Sequence, residues 1–307
     1  MDAVLIVGVE SIAGAGLAAA LRETHRVTGL SCAADARIDD CRIVHLESAD
    51  ASTINEQIDA VRPDWIVFCG HAARSSWDSQ TEAHGFNDVL AIDCAQAAAR
   101  RGAEFTMLSS DSVFVGPWMS HTEDDEHFSA LPAAVRLREI ESSVLNELPE
   151  ALVVRTNVFG WNPGTSEQGF ASQLLAEIER GLVERVDFLK HATPILATDL
   201  GGLVLKARHT GVCGILHLGG AERLSPYQFA ERLAAVADRS AAIIPDETLL
   251  ASATAGRDRG ETTLDCSTAR ELLELSMPLL EDGLCVFVGQ RPDSLNEVPR
   301  RALSATA

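Results

Sequence analysis

The stretch from Val4 to Leu21, VLIVGVESIAGAGLAAAL, limits most strongly what this chain can become. Its apolar run Val4 to Val7 is too short for a helix and stops at a glycine, the pattern of a buried parallel strand. A helix follows at once. Leu17, Ala20 and Leu21 share one face, and Gly14, Ala15, Gly16 and Ala18 are small enough to let that helix lie close against a sheet. A turn of this kind aims free backbone N–H groups and the positive end of a helix dipole at whatever sits above the strand, which suits a pyrophosphate. A dinucleotide turn wants glycine at three positions, and the chain reads Gly8-x-x-Ser11-x-x-Gly14. Serine in the middle keeps an N–H and adds a hydroxyl, but its Cβ crowds the phosphate's closest approach. Gly8, Ser11, Ile12 and Gly14 are therefore candidate cofactor contacts, set against a plain strand–turn–helix with no ligand.

At 307 residues with 46% hydrophobic content, the chain can bury one large α/β core with a smaller region beside it. The net charge of −20, with only two lysines (Lys190, Lys206) among 25 basic residues, excludes the basic stripe that nucleic acid or an anionic membrane requires. No apolar run has the length of a membrane span and no basic segment precedes the first strand, so a cytoplasmic protein is expected. Seven cysteines without a Cys-x-x-Cys pair read as scattered reduced thiols, and no metal site is expected.

In chain order, His25 to Leu30 reads as a second strand ending at Ser31-Cys32. An acidic residue at that strand end selects NAD and nearby arginines accommodate NADP. Here the end is neutral and Asp35 and Arg37 pull opposite ways, so NADP or NAD is expected, with the balance tipped toward NADP. Ile43 to Leu46 is a short strand. Ser52 to Glu56 forms a capping box for a helix that Pro63 stops. Trp65 to Cys69 is a buried strand opening through Gly70 and His71 into a small-residue loop, where a cofactor's ribose and nicotinamide would pass. His71 reads first as a structural histidine and second as a proton donor. An Ala-rich helix from Phe86 to Arg101 carries Asn87 near its start. The strand Glu104 to Leu108 ends in Ser109-Ser110-Asp111-Ser112, polar groups at the carboxyl end, where an open α/β sheet places its chemistry. An acidic loop with His121 follows, then a helix over 132–148 and a strand over 151–160 that contains Asn157. Phe170 to Leu182 reads as a helix, Gly214 to Leu218 as a strand, and Ser225-Pro226 starts a further helix. The architecture expected is a Rossmann-type doubly wound parallel sheet over 1–160, completed by about 191–219. A smaller α/β substrate-binding region is drawn from 161–190 and 220–307.

Together these landmarks resemble the dTDP-4-dehydrorhamnose reductase family, an atypical branch of the short-chain dehydrogenase/reductases. Arg62-Pro63-Asp64, Asn87, Ser109 to Phe114, Glu123-x-Asp125, Arg155-Thr156, Pro194 with Asp199-Leu200, and Ser225-Pro226-Tyr227 carry the likeness over nearly the whole chain. The resemblance implies hydride transfer from a nicotinamide to a sugar ketone. A tyrosine donates the proton, a lysine four residues on stabilises the phenolate and holds the ribose, and a Ser or Thr at the end of the fifth strand binds the same carbonyl. Ser110 stands at that last place. Counting from Glu123 and Asp125, and back from Glu141, puts Ala133 and Leu137 at the tyrosine and lysine positions. No shift of register restores the pair, because the only tyrosine is Tyr227. Arg136, Arg138, Glu139 and Glu141 on the same helix read as a solvated face of i,i+3 partners.

Two classes of function follow. In the first, the chain is a reductase acting on a nucleotide-linked keto-sugar, or an epimerase or other sugar-nucleotide enzyme, whose acid comes from His71, Asp111 or His121, with Ser110 polarising the carbonyl. His121 reads equally as a solvated loop residue. In the second, the dinucleotide- or sugar-nucleotide-binding fold persists as a silent regulatory or scaffold subunit of another enzyme. A ligand-free α/β domain is a third, lesser reading. Gly8, Ser11, Ile12, Gly14, Ser31, Cys69, Gly70, Asn87 and Asn157 are the expected cofactor contacts. A nucleotide sugar is the expected ligand, and a homodimer or a partner enzyme the expected assembly.

Overall fold

The computed structural model describes residues 1–78, 85–162, 169–253 and 260–290. Strand β1 (Ala3–Val7) is buried along its whole length and leads into α1 (Ile12–Leu21); β2 (Arg26–Ser31) and β3 (Arg42–His45) follow. Helix α2 (Ala51–Val61) is capped by Asp50, whose carboxylate accepts from the Thr53 amide at 2.9 Å. The cap thus lies two residues before the expected Ser52. Strand β4 (Trp65–Phe68), helix α3 (Leu90–Arg101) and strand β5 (Glu104–Ser110) come next. Helix α4 (Pro132–Glu147) precedes β6 (Leu152–Thr156), and Asn157 separates β6 from the two-residue β7 (Val158–Phe159). Then come α5 (Phe170–Glu179), β8 (Leu182–Val186), β9 (Ile195–Leu196), α6 (Ala197–His209) and β10 (Gly214–His217). Leu182 therefore opens a strand and does not end the preceding helix. The described chain finishes with α7 (Pro226–Val236), β11 (Ala242–Pro245), α8 (Thr248–Ala253), α9 (Ser267–Leu273) and α10 (Leu280–Gly289). Ser225 and Gln228 complete a reciprocal capping box at the start of α7.

Seven parallel strands form the central sheet in the order β10-β6-β5-β4-β1-β2-β3. Chain order reverses between β1 and β4, and the crevice above that switch point is where a doubly wound sheet binds its ligand. Helices α1 and α6 pack together on one face, α2 to α4 on the other. Gly16 makes the first contact possible, since a Cβ there would strike Ala197.

The main core is gathered on this sheet, and it takes in Leu264, Cys266, Ala269, Leu273 and Met277. A second cluster unites Phe159, Phe170, Leu175, Phe229, Leu233 and Phe287 around the parallel pair β8–β11. The segment 264–277 thus packs with the large sheet because α9 lies against α6 and β10. Residues 291–307 lie outside the described part.

Glu141 departs from the expected solvated face. It is buried under α4, where its carboxylate accepts from Arg155 Nη2 at 2.7 Å and Nε at 3.2 Å and from Ser109 Oγ at 2.5 Å. Arg136 and Glu139 do face solvent, and Arg138 lies 4.2 Å over the Phe128 ring. Removing one partner of a buried, two-pronged ion pair leaves an uncompensated charge. Glu141→Ala should therefore cost roughly 3–5 kcal/mol of stability in equilibrium denaturation. A loss comparable to that of an exposed pair, below about 1 kcal/mol, would show that the pair does not hold α4 to the sheet.

Candidate functional site

Strand β1 is followed by Gly8, whose φ of +86° and whose contact with the Cys69 carbonyl leave no room for a Cβ. The Gly8 and Val9 amides both donate to the Leu30 carbonyl, at 3.0 and 3.1 Å, and tie the turn to β2. Ser11 fits the middle glycine position because its hydroxyl caps the helix: Oγ accepts from the Gly14 amide at 3.0 Å and donates to the Gly8 carbonyl at 2.8 Å. The Ile12 and Ala13 amides stand in the first turn, where a helix has no internal acceptor. The Ile12 side chain itself packs toward Gly160 and Gly169.

Around this turn, the expected contacts take different positions. Ser31 closes a local turn, its hydroxyl accepting from the Ala33 amide at 3.0 Å. Cys69 is buried behind Gly8. Gly70 faces Asp88 and the Phe86 carbonyl, which a side chain would meet. Asn87 is exposed and precedes α3, where its Oδ1 accepts from the Val89 amide at 3.1 Å. Glu10, which sequence reasoning passed over, reaches from the turn to the end of β2 and accepts from the Cys32 amide at 3.1 Å.

A buried polar cluster lies at the carboxyl ends of β5 and β6. Asp111 Oδ2 accepts from Thr262 Oγ1 at 2.7 Å, Asn157 Nδ2 at 2.9 Å and Ser76 Oγ at 3.2 Å; its Oδ1 lies 3.4 Å from Ser110 Oγ. Asn157 Oδ1 in turn accepts from Ser75 Oγ at 2.7 Å. Burial pushes the Asp111 carboxyl above the ordinary carboxylate range, although the four donors oppose the shift. The arrangement pairs a hydroxyl with a carboxyl able to retain a proton. Ser75, Ser76 and Thr262 carry no local signature. Thr262 stands 151 positions from the carboxyl it binds.

A cavity of about 200 Å³ is lined by Trp77, Phe170, Gln173, Glu177, Asp187 and Lys190. Trp77 follows Ser76 in sequence, and Lys190 is followed by His191, whose carbonyl lies 3.2 Å from Thr262 Oγ1. Ala133 is exposed in the first turn of α4, whereas Leu137 is 7% exposed and belongs to the core. Tyr227 sits in the first turn of α7, beside Glu231, which holds its phenol above the usual range.

The histidines divide. His71 is half-buried and its Nε2 is enclosed without a hydrogen-bond partner. His121 is fully buried instead of solvated. Its ring lies flat on Phe114 at 4.4 Å, and its nitrogens face Asp125 Oδ2 at 3.0 Å and the Glu261 carbonyl at 3.3 Å. His217 packs edge-on against the same Phe114 and contacts the His121 carbonyl through Nδ1 at 3.0 Å. Burial, reinforced by Arg155, drives the His217 pKa down to about 3. The unfolded chain takes up this proton near pH 6.5 and the folded one does not, so stability is held above pH 6.5 and lost as pH falls. The loss by pH 5 from this residue should reach about 2 kcal/mol, at about 1.4 kcal/mol per pH unit. Melting curves at pH 7.5 and 5 check it: His217→Gln should narrow the gap between them, and an unchanged gap would refute the assignment.

No ion cage of three or more His, Cys, Asp or Glu residues occurs among the described residues, and none of their helices is long and apolar enough to cross a membrane. The chain is 25% identical to a probable low-salt glycan biosynthesis reductase, Agl14, of Haloferax volcanii over 289 residues, which are 92% of this chain and 96% of that protein. It is 26% identical to a probable dTDP-4,6-dihydroxy-2-methyloxan-3-one 4-ketoreductase of Streptomyces antibioticus, over 62% of this chain and 65% of the relative. The fold matches the crystal structure of dTDP-4-dehydrorhamnose reductase from Bacillus anthracis in complex with NADP, with a TM-score of 0.76, 21% identity, and coverage of 94% of this chain and 99% of that one. The profile of the RmlD substrate binding domain matches residues 1–290. With its seven-stranded parallel sheet and glycine turn aligned along nearly its full length, this chain belongs to the RmlD substrate binding domain family.

Proposed function

We propose that the chain binds a nicotinamide dinucleotide over the β1–α1 turn and reduces the keto group of a nucleotide-linked sugar, in the manner of a 4-ketoreductase. The observation that carries this reading is the buried Ser110–Asp111–Asn157 cluster at the carboxyl ends of β5 and β6. A dinucleotide extended from the glycine turn across the switch point would bring its nicotinamide toward that cluster. The names of the curated relatives support the substrate class.

The turn around Gly8, Ser11 and Gly14 holds the diphosphate through the first-turn amides. When bound, the nicotinamide supplies a hydride to the sugar's carbonyl carbon. Ser110 hydrogen-bonds the carbonyl oxygen and stabilises the negative charge that develops there. Asp111, kept protonated more readily than a solvent-exposed carboxyl, feeds a proton through the Ser110 hydroxyl and takes the role that the resemblance assigns to a tyrosine. Asn157, Ser76 and Thr262 hold that carboxyl in place. The unpartnered His71 Nε2 is the second candidate donor. His121 takes no part in the proton transfer, since both of its nitrogens face protein acceptors.

Leu137 favours a second reading, a catalytically silent binding subunit. A hydrocarbon packed into the core stands where the resemblance expects a ribose-binding ammonium. Titration calorimetry with NADH, NADPH and a dTDP-sugar, followed by turnover assays with a dTDP-4-keto-sugar, separates the two. Turnover supports the reductase. Binding without turnover supports the silent subunit. For the reductase, Asp111→Asn should lower kcat roughly 100-fold or more with the cofactor Kd unchanged. If that variant keeps full kcat while His71→Gln loses it, the proton comes from His71.

A further inference from the structure

The two oxygens of the Asp111 carboxyl stand in unlike surroundings. Thr262 Oγ1 at 2.7 Å, Asn157 Nδ2 at 2.9 Å and Ser76 Oγ at 3.2 Å converge on Oδ2, whereas Oδ1 has Ser110 Oγ at 3.4 Å. A carboxylate oxygen offers about two lone-pair sites, so three donors fill Oδ2 and a proton on this carboxyl is left to Oδ1. Ser110 can receive it. Its hydroxyl accepts from the Ser112 amide at 3.1 Å, which leaves a second lone pair toward Oδ1 and its own proton for a substrate.

Two of the three donors have their direction fixed. Ser75 Oγ accepts from the Trp77 amide at 3.0 Å and gives its proton to Asn157 Oδ1, which sets the Asn157 amide with Nδ2 toward Ser76 and Asp111. Ser76 Oγ accepts from that Nδ2 at 2.9 Å and directs its own proton at Asp111. Thr262 faces two acceptors with one proton: Asp111 Oδ2 and, at 3.2 Å, the His191 carbonyl. That carbonyl already accepts from the Thr262 amide at 3.0 Å, and the carboxyl contact is the shorter, so the hydroxyl proton points at Asp111.

We infer that Thr262 is a positioning residue for proton delivery: its hydroxyl closes Oδ2 and keeps the acidic proton of Asp111 on Oδ1, facing Ser110. The inference rests on the reading of Asp111 as the acid and deepens it. In the transfer the Oδ1–H bond breaks toward Ser110 Oγ while the Ser110 O–H bond breaks toward the oxygen of the reduced carbonyl. Asp111 ends as a carboxylate, Ser110 as a neutral hydroxyl and the product as an alcohol. The three donors on Oδ2 are in place before the charge appears, so none has to turn to meet it. Without the Thr262 hydroxyl Oδ2 is open, and a proton placed there does not face Ser110.

Burial lifts the Asp111 carboxyl above the ordinary range, and Thr262 leads the donors that pull it back. Titratable groups on the surrounding elements have other partners. Arg155 holds Glu141 at 2.7 Å, Glu261 accepts from Arg223 Nη2 at 2.5 Å, Asp78 accepts from the Phe170 amide at 2.7 Å, and His191 Nδ1 lies 3.0 Å from the Leu189 carbonyl. Arg74 acts on Asp88, and Lys190 stands in the cavity with Asp187.

The test compares Thr262→Val, which removes the hydroxyl and keeps the branch, with Thr262→Ser, which keeps the hydroxyl, in the full chain. With a dTDP-4-keto-sugar, Thr262→Val should lower kcat roughly tenfold or more and leave the cofactor Kd within about twofold, while Thr262→Ser should stay within about threefold of the unaltered kcat. In carbon NMR the Asp111 Cγ resonance, identified by its loss in Asp111→Asn, should titrate at higher pH in Thr262→Val, because the ionised carboxyl has lost a donor. Full kcat in Thr262→Val, an unmoved titration, or a serine variant as impaired as the valine one overturns the role of Thr262. A lower melting temperature with kcat and titration unchanged marks a structural residue and overturns it as well. If Asp111→Asn keeps full kcat, or the unaltered chain shows no turnover, it is the reading of Asp111 as the acid that fails, and this inference with it.

Discussion

The buried pair between Glu141 and Arg155 is the interaction on which the site depends. Its carboxylate accepts from Ser109, one residue before Ser110, and its guanidinium leaves β6 two residues before Asn157. The same guanidinium lies 5.1 Å over Phe114, the ring against which His121 and His217 pack. One charge pair thus fixes α4, the ends of β5 and β6 and the aromatic floor beneath them. Such a pair gains little over a hydrocarbon replacement in bulk stability, but it permits one arrangement of its neighbours, and the site uses that arrangement.

Above it, Asp111 works as a hub. Three segments distant in sequence place a donor at its carboxyl, the loop after β4, the break between β6 and β7 and the stretch around Thr262, and the adjoining Ser110 adds a hydroxyl. Desolvation favours the protonated carboxyl and the hydrogen bonds favour the ionised one, with burial the stronger. Burial therefore leaves this carboxyl easier to protonate than one in water.

The extent to which this was legible beforehand follows the range of each interaction. The glycine turn, the run of the first six long strands, the serine cap of α7 and the polar end of β5 are local patterns, and they appear within a few residues of their expected places. Helix boundaries moved where a side chain could choose between neighbouring caps, as when Asp50 displaced Ser52. Glu141 was misplaced because its spacing among charged residues matches a solvated helix, while its partner lies on a strand 14 residues on. His121 was misplaced in the same way: an acidic loop reads as solvent, and only the return of residues 261–265 over it makes it core.

Composition, periodicity and the Gly8-x-x-Ser11-x-x-Gly14 turn were enough to determine a doubly wound sheet with a tight glycine turn into a capped first helix, because strand period and helix capping act between residues close along the chain. Tertiary structure alone decided that Thr262 closes on Asp111, that Leu137 joins the core and that Glu10 spans from the turn to the end of β2. Those outcomes depend on which distant surfaces exclude water together. A linear pattern carries no record of that, since desolvation is a property of the assembled neighbourhood and not of the residue.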